Sequence, residues 1–317
     1  MLRWTLLRAA GNDTLATTAR RSATVRRVVR RYVAGESVPE GLEAAQRLAD
    51  RGMDLTLDHV GEFVGSMEQA TAAAAVYLEL LERIGARGLP AGISIKPSQL
   101  GLLLDPAGAA ELVGRLAAAA DAAGVHMTID MEDHTTVEAT IGLVEGAQTA
   151  GHGNVGCAVQ SYLHRTAADL RRLTAAGASV RLCKGAYAEP PFVAYQRSVE
   201  VDRAFLADAR YLLEHGREPR FATHDHRLVG AIKRAAALRG RDRSTFEFQM
   251  LYGVRPDMQR ALVTEGYRLR IYVPFGTQWY PYFTRRLAER PANLLFFARA
   301  LANRDTATGT DHGHVDT

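Results

Sequence analysis

Residues 125–150 read VHMTIDMEDHTTVEATIGLVEGAQTA, and this stretch contains the unit from which the fold is built. Its first six residues alternate between apolar and polar side chains, which places Met127 and Ile129 on one face of a strand and Asp130 on the other. From Thr136 to Ala150, apolar residues recur at helical spacing. The stretch therefore predicts a β-strand that ends in an acidic residue and is followed by an α-helix.

The same strand–helix unit occurs seven more times along the chain. The other strands are predicted at MDLTL (from Met53), GISIK (from Gly92), VGCAVQ (from Val155), SVRLCK (from Ser179), RFATH (from Arg220), TFEFQM (from Thr245) and RLRIYV (from Arg268). The eight helices are predicted at Glu68–Arg83, Asp105–Ala123, Thr136–Ala150, Thr166–Ala176, Tyr195–Glu214, His226–Arg239, Pro256–Glu265 and Tyr280–Ala302. This alternation predicts an α/β fold with one parallel sheet, closed as a (βα)8 TIM-type barrel. The alternative is an open, doubly wound sheet.

Several of these strands have one apolar and one polar face. In GISIK, for example, Ile93 and Ile95 lie opposite Ser94 and Lys96. A barrel packed only for stability would have branched apolar residues inside, so a polar interior indicates a polar ligand. Active sites of this fold lie where the strands end, and the candidate side chains there are Lys96, Asp130, Glu132, Gln160, Arg181, Lys184, His224, Asp225, Glu247, Gln249 and Tyr272.

The composition limits the class of protein. With 317 residues, 47% hydrophobic and 23% charged, the chain can bury a large core without disulfides. Its two cysteines, Cys157 and Cys183, cannot form a disulfide framework, and no apolar run reaches the roughly 20 residues of a membrane helix. We therefore expect a cytoplasmic protein. Its net charge of only +4 leads us to expect no nucleic-acid partner.

Three segments are predicted along the chain. They are an N-terminal helical arm over residues 1–52, a catalytic barrel over residues 53–303 and a disordered polar tail over residues 304–317. Between Arg20 and Arg31 the arm contains six arginines, with valines at helical spacing, which predicts a basic amphipathic helix. Such a helix packs on the domain as a solvated arm or contacts an anionic membrane surface. A third alternative is a transit peptide, since acids are scarce here, although Asp13 and the continuing helical pattern argue against it.

Two further motifs contain candidate chemistry. RLCKGAY (181–187) places two cations before a glycine, a pattern that holds phosphate, although a barrel salt bridge with a turn glycine explains it equally well. On the last helix, Tyr282, Arg285 and Glu289 share a face, and Arg286 follows directly. The two arginines are suited to bind one carboxylate, and the alternative is a surface ion-pair cluster.

Eight strings of residues appear in a recognisable order. They are LDHVGE (57–62), SIKPSQLG (94–101), IDMED (129–133), VQSYL (159–163), RLCKGAY (181–187), FATHD (221–225), FEFQMLYG (246–253) and YVPFGTQWYPYFTRRLAERPAN (272–293). On these strings the chain resembles the flavin-dependent proline dehydrogenase family, in its short monofunctional bacterial form. The resemblance extends from about Arg20 to Ala302 and implies a distorted barrel whose final helix lies over the mouth.

The resemblance also implies roles for individual side chains. Asp130 and Arg181 would form the catalytic pair, with Arg181 near the flavin N5. Substrate contacts are implied for Lys96, Leu182, Tyr187, Tyr272, Tyr282, Arg285 and Arg286, with Glu62 and Glu289 holding the basic groups in place. Contacts with FAD are implied for Met131, Gln160, Arg181, Cys183, Lys184, Gly185, Thr223 and His224.

The implied reaction is the oxidation of L-proline to Δ1-pyrroline-5-carboxylate, the first step of proline catabolism. Hydride would pass to N5 of FAD and the electrons to a membrane quinone, through peripheral contact at the inner face of the membrane. The alternatives are a related flavin dehydrogenase for hydroxyproline or another cyclic amino acid, a metal-dependent barrel hydrolase that uses His224 and His226, and a non-enzyme that acts through the basic arm. Because the two histidines lack a convincing set of further ligands, we expect no metal.

Overall fold

The computed structural model describes residues 23–61 and 63–289. Its contacts divide the chain into two compact units, one of which comprises residues 34–276. The described segments 23–33 and 277–289 belong to the other unit. The predicted tail, residue 62 and the first part of the basic arm lie outside the described residues.

The unit of residues 34–276 contains the eight predicted strands, which form a closed barrel in sequence order. Every neighbouring pair is parallel, and β1 closes the barrel against β8. The (βα)8 prediction is therefore confirmed, and the open-sheet alternative is wrong. The strands are β1 (Asp54–His59), β2 (Ala91–Ile95), β3 (Met127–Ile129), β4 (Val155–Gln160), β5 (Ser179–Cys183), β6 (Arg220–Ala222), β7 (Glu247–Leu251) and β8 (Arg268–Phe275).

Helices follow the strands as predicted. Those of the described residues are α1 (Ala23–Val29), α2 (Val38–Ala49), α3 (Met67–Arg87), α4 (Pro106–Ala122), α5 (Val137–Thr149), α6 (Thr166–Ala175), α7 (Ser198–His215), α8 (His226–Leu238), α9 (Pro256–Thr264) and α10 (Trp279–Glu289). None of the helices that the structure describes is both long enough and apolar enough to cross a bilayer. Helices α1 and α10 belong to the second unit, so the predicted position of the final helix over the barrel mouth stays a prediction.

Among the described residues, two helix ends differ from the prediction by more than one residue. Helix α3, predicted to end at Arg83, continues to Arg87 and is capped by Gly88, whose φ of 59° is the left-handed conformation that terminates a helix. Helix α7 begins at Ser198 rather than Tyr195. The reason is that Ala194 forms a β-bridge with Leu163, and the Tyr195 amide donates to the Tyr162 carbonyl. These pairings hold the segment in an extended conformation.

Strand alternation separates an apolar layer from a polar interior. The apolar strand residues, such as Leu57, Ile93 and Phe248, are fully buried in the core that the helices cover. The residues of opposite parity, such as Ser94 and Arg181, form hydrogen bonds with one another across the barrel interior. The predicted division of several strands into two faces therefore places polar groups inside the barrel.

Helix α7 also contributes a buried carboxylate, Asp208, whose side chain is 6% exposed. Burial raises the pKa of Asp208 from 3.8 to about 6. Because the folded protein then binds this proton more tightly than the unfolded chain, the contribution of Asp208 to stability is greatest below about pH 4. It is lost as the pH rises through about 6.

We predict that Asp208→Asn stabilises the protein above about pH 6 by on the order of 1–3 kcal/mol, because the amide needs no deprotonation in a buried site. Thermal unfolding of both proteins between pH 4 and pH 8 measures the effect. The advantage of the variant should shrink towards zero near pH 4. A difference independent of pH would show that the carboxylate does not titrate in this range.

Candidate active site

Asp130 occupies the centre of a polar cluster at the carboxyl ends of the strands. It follows β3 directly, and its Oδ1 accepts hydrogen bonds from Arg181 Nη1 at 2.7 Å and from Ser94 Oγ at 2.9 Å. Its Oδ2 accepts from the Tyr272 hydroxyl at 2.8 Å. Burial raises the pKa of Tyr272 well above its usual value, so the phenol keeps the proton that it donates. Asp130 thus connects strands β2, β3, β5 and β8.

Lys96, which follows β2, forms the second ion pair of this cluster. Its Nζ lies 2.7 Å from Asp58 Oδ1 and 3.7 Å from Asp130 Oδ2. Burial alone would lower the pKa of Lys96, but Asp58, Tyr272 and Asp130 outweigh it and raise the pKa well above the usual value. The Lys96 ammonium therefore remains charged although its side chain is only 10% exposed.

Asp58 on β1 was not among the predicted site residues. Its side chain is fully buried, its Oδ2 has no hydrogen-bond partner among the described residues, and burial raises its pKa. The alternation of β1 contains the signal that could have found it, because Asp54, Thr56 and Asp58 share one face of the strand. The two cations and two carboxylates of the cluster (Lys96, Arg181, Asp58 and Asp130) balance in charge.

Arg181 retains hydrogen-bonding capacity although it is 96% buried. Its Nε donates to Gln249 Oε1 at 2.7 Å and its guanidinium lies 5.1 Å from the centre of the Tyr272 ring. Its Nη2 is buried and has no hydrogen-bond partner in the described part of the chain. Since an unsatisfied buried donor is costly and native structures avoid it, this nitrogen is a candidate ligand contact.

The end of β5 has the features of a phosphate site. Gly185 has a φ of 114°, and a Cβ built on it would lie only 2.2 Å from the Tyr162 ring, so no other residue fits this turn without displacing that ring. Beside it, Lys184 Nζ lies 2.6 Å from Asp202 and 3.7 Å from Asp225. A close approach of the backbone and a partly exposed ammonium are both suited to binding a phosphate oxygen.

Asp225 organises the neighbouring start of α8. Its side chain caps the helix by accepting from the Arg227 amide at 2.9 Å, and it also binds the Arg227 guanidinium. These hydrogen bonds hold the pKa of Asp225 well below its usual range. The candidate phosphate site after β5 therefore contains two cations, Lys184 and Arg227, and both lie next to the Asp225 carboxylate.

The remaining predicted cofactor residues lie at the ends of neighbouring strands. Gln160 ends β4, and its side chain donates to the Glu132 carbonyl at 2.7 Å and accepts from the Ala186 amide at 3.4 Å. Thr223 Oγ1 accepts from the Asp225 amide at 3.1 Å. Met131 is buried just after β3, and Cys183 is the half-buried last residue of β5.

The histidine pair does not form a metal site in the described structure. His224 Nε2 accepts the Leu251 amide at 2.9 Å, and His226 is exposed at the first turn of α8. Across residues 23–61 and 63–289, no three His, Cys, Asp or Glu side chains are arranged to hold a metal ion. The occupied ring nitrogen of His224 argues against the hydrolase alternative.

Comparison with known proteins gives these residues a context. A sequence model of the family described as "Proline dehydrogenase" matches residues 41–299. The chain belongs to the proline dehydrogenase family. It is 39% identical over 280 residues to Proline dehydrogenase of Deinococcus radiodurans, covering 86% of this chain and 89% of that protein. It is 34% identical over 304 residues to Proline dehydrogenase 1 of Bacillus subtilis strain 168, covering 96% and 100%.

Solved structures support the same fold. The crystal structure of proline utilization A (PutA) from Bdellovibrio bacteriovorus, inactivated by N-propargylglycine, superimposes with a TM-score of 0.79 at 24% identity. The match covers 88% of this chain and 34% of that longer one. A second structure, a PutA mutant from Bradyrhizobium japonicum, superimposes with a TM-score of 0.73 and also at 24% identity. Both comparisons show the barrel fold alone.

Not every residue implied by the family resemblance lies in this cluster. Glu62 and the side chains of Arg285, Arg286 and Glu289 are outside the described part of the structure, although the backbone of the last three continues α10. Tyr282 is buried and belongs to the second unit. Tyr187 is half-buried after β5.

Leu182 occupies the face of β5 opposite Arg181. Its side chain is fully buried in the hydrophobic core that lies between strands and helices. Core packing explains this burial without a ligand, because alternate strand residues point to opposite faces. A contact between Leu182 and a substrate stays a prediction.

We predict that Lys96→Met destabilises the protein by about 3 kcal/mol or more, because it leaves Asp58 buried without its cation. The double variant Lys96→Met/Asp58→Asn should recover most of the loss, since no charge then remains unpaired. Thermal and denaturant unfolding measure both.

The matched control is Lys233→Met, which breaks an ion pair with Glu265 whose carboxylate is half exposed. That change should cost about 1 kcal/mol or less. Equal losses in the Lys96 and Lys233 variants, or no recovery in the double variant, would contradict the buried-pair interpretation.

Proposed function

We propose that this chain oxidises L-proline to Δ1-pyrroline-5-carboxylate, with noncovalently bound FAD as the hydride acceptor and a membrane quinone as the final electron acceptor. Membership of the proline dehydrogenase family supports the substrate and the reaction. The observation that carries the site assignment is the buried Arg181 Nη2, which lacks a partner among the described residues at the carboxyl end of β5. Reacting ligands of this fold bind at that end of the barrel.

The described residues fit FAD. Gly185 allows close approach of the backbone after β5, and Lys184 supplies an ammonium for the pyrophosphate. Arg181 Nη2, which has no partner among the described residues, would donate to the flavin ring, and the family resemblance implies a position near N5. Gln160, Thr223 and His224 end the neighbouring strands and would complete the contacts, together with Met131 and Cys183. When bound, FAD supplies the isoalloxazine ring that accepts hydride from the carbon next to the proline nitrogen.

The charge balance of the cluster determines how a carboxylate substrate is bound. Lys96 and Arg181 are already neutralised by Asp58 and Asp130. A proline carboxylate would therefore add uncompensated negative charge to a buried site, which is unfavourable unless further cations accompany it. In our proposal, Arg285 and Arg286 of α10 supply these cations through charge-assisted bonds, and Lys96 contributes a third.

The surrounding side chains shape the rest of the pocket in this proposal. Tyr272, Tyr282 and Tyr187 would line the ring of proline, and Glu62 and Glu289 would hold the basic groups in position. The proline amine must lose its proton before hydride can leave the ring.

Asp130 serves Arg181 rather than the substrate in this mechanism. Its Oδ1 accepts a 2.7 Å hydrogen bond from the guanidinium, and its Oδ2 accepts a hydrogen bond from the Tyr272 hydroxyl. Both of its oxygens are therefore occupied, so it holds the catalytic arginine in place. Electron transfer to quinone would occur by peripheral contact with the inner face of the membrane, for which the basic N-terminal segment is our candidate.

We predict that the purified protein releases FAD on acid precipitation and that anaerobic L-proline bleaches its flavin absorbance. Arg285→Met or Arg286→Met should raise KM for proline about ten- to a hundred-fold, because each removes a charge-assisted bond worth about 1.5–3 kcal/mol. Flavin content should remain near that of the wild type. Steady-state kinetics with proline and hydroxyproline provide the measurement.

The control is Lys184→Met, which should lose flavin first and activity as a consequence. A colourless protein that cannot be reconstituted with FAD would overturn the proposal. Arginine variants that lose thermal stability but retain the wild-type KM would remove α10 from the substrate site.

A further inference from the structure

A chain of hydrogen bonds runs from Arg181 into the barrel interior. The Arg181 Nε donates to Gln249 Oε1 at 2.7 Å, and Gln249 Nε2 donates to Glu247 Oε1 at 2.5 Å. Arg270 Nε donates to the same Glu247 oxygen at 2.8 Å. None of the four side chains is more than 9% exposed. We call this chain the Arg181–Gln249–Glu247–Arg270 relay.

Chemistry permits only one orientation of the Gln249 amide. An arginine can only donate and an ionised glutamate can only accept, so the amide oxygen must face Arg181 and the amide nitrogen must face Glu247. Burial would raise the pKa of Glu247, but Arg270 and Arg220 outweigh it and lower the pKa to about 2. Glu247 is therefore ionised at any working pH, and the orientation of Gln249 does not change.

This orientation decides which donors of Arg181 remain available. Of the five N–H groups of a guanidinium, the one on Nε is bound by Gln249, and Nη1 is bound by Ser94 and Asp130. The two N–H groups on Nη2 have no partner in the described residues. Without Gln249, the guanidinium is free to rotate. Nη2 can then turn towards Asp130, which leaves Nε or Nη1 facing the ligand instead.

We propose that Gln249 and Glu247 are positioning residues for Arg181: Gln249 binds Nε, Glu247 fixes the amide of Gln249, and Nη2 is thereby kept for the reacting ligand. Neither residue touches the ligand in this assignment. The inference rests on the proposed function, because it takes the ligand of Nη2 to be the flavin at which proline is oxidised.

The test uses Gln249→Met, which keeps the length of the side chain but removes the acceptor for Arg181 Nε. We expect kcat with proline to fall about ten- to a hundred-fold, since a hydrogen bond to a charged group is lost. KM should change less than about three-fold, because Lys96 and the arginines of α10 are untouched. The midpoint potential of bound FAD should become more negative, since the cation that favours the reduced flavin is less well placed. Redox titration measures this independently of turnover.

The matched control is Gln259→Met. Gln259 is also a buried glutamine, 5% exposed, and it donates to the Leu251 and Val254 carbonyls rather than to any relay residue. This variant should lose stability to a similar extent as Gln249→Met, while its kcat and flavin potential stay at wild-type values. Comparing the two variants separates the effect of losing a buried amide from the effect of losing the hydrogen bond that positions Arg181.

A rescue variant tests the direction of the hydrogen bonds. In Gln249→Glu/Glu247→Gln, the new carboxylate at 249 accepts a hydrogen bond from Arg181. The new amide at 247 donates its N–H to that carboxylate and accepts a hydrogen bond from Arg270 on its oxygen. The net charge is unchanged. This double variant should recover most of the kcat and potential, whereas Gln249→Glu alone should not, because two carboxylates would then meet inside the barrel.

The outcomes separate this inference from the proposed function. If the wild type oxidises proline but Gln249→Met matches Gln259→Met in kcat and flavin potential, the positioning role is overturned. If the double variant folds and binds FAD but does not recover kcat and the flavin potential, the assigned hydrogen-bond direction is overturned. A wild type that does not oxidise proline would instead overturn the proposed function itself.

Discussion

The ion pair between Asp130 and Arg181 is the interaction on which the rest of the site depends. It joins β3 to β5 across the interior of the barrel at 2.7 Å. Because removing one member of such a pair leaves a charge with little access to water, at a cost of about 3–5 kcal/mol, the surrounding side chains must satisfy both partners. Ser94 and Tyr272 bind Asp130, and Gln249 binds Arg181.

This requirement explains why the interior is polar at two levels. Near the carboxyl ends of the strands, Lys96 and Asp58 add a second neutral pair to the first. Deeper in the barrel, Glu247 accepts hydrogen bonds from Gln249 and Arg270. Most interior donors have an acceptor, and the described arginine nitrogens that lack one are Arg220 Nε, 3.6 Å from Glu247, and Arg181 Nη2, which we assign to the ligand. Rigid placement of such donors is what stabilises charge that develops during a reaction.

Periodicity predicted most of the fold, because strand alternation and helical spacing are local properties of the chain. All eight strands and the polar strand face follow from it, and Lys96, Asp130 and Arg181 meet as expected. The β-bridge that delays α7 could not be predicted, because it joins residues 31 positions apart. Asp58 was missed because its role depends on Lys96 of the next strand. The roles of Arg285 and Arg286 rest on the family resemblance, since their side chains lie outside the described residues.

In our proposal, proline and FAD meet at the balanced cluster around Asp130 and Arg181. The decisive experiment is a crystal structure of the FAD-loaded protein with an unreactive proline analogue, in which oxygen replaces the ring nitrogen. We predict that Arg181 Nη2 donates to the flavin, and that Lys96 and the arginines of α10 bind the analogue's carboxylate. An analogue or a flavin bound away from the carboxyl ends of β2, β3 and β5, with Arg181 Nη2 in contact with neither, would overturn this site assignment.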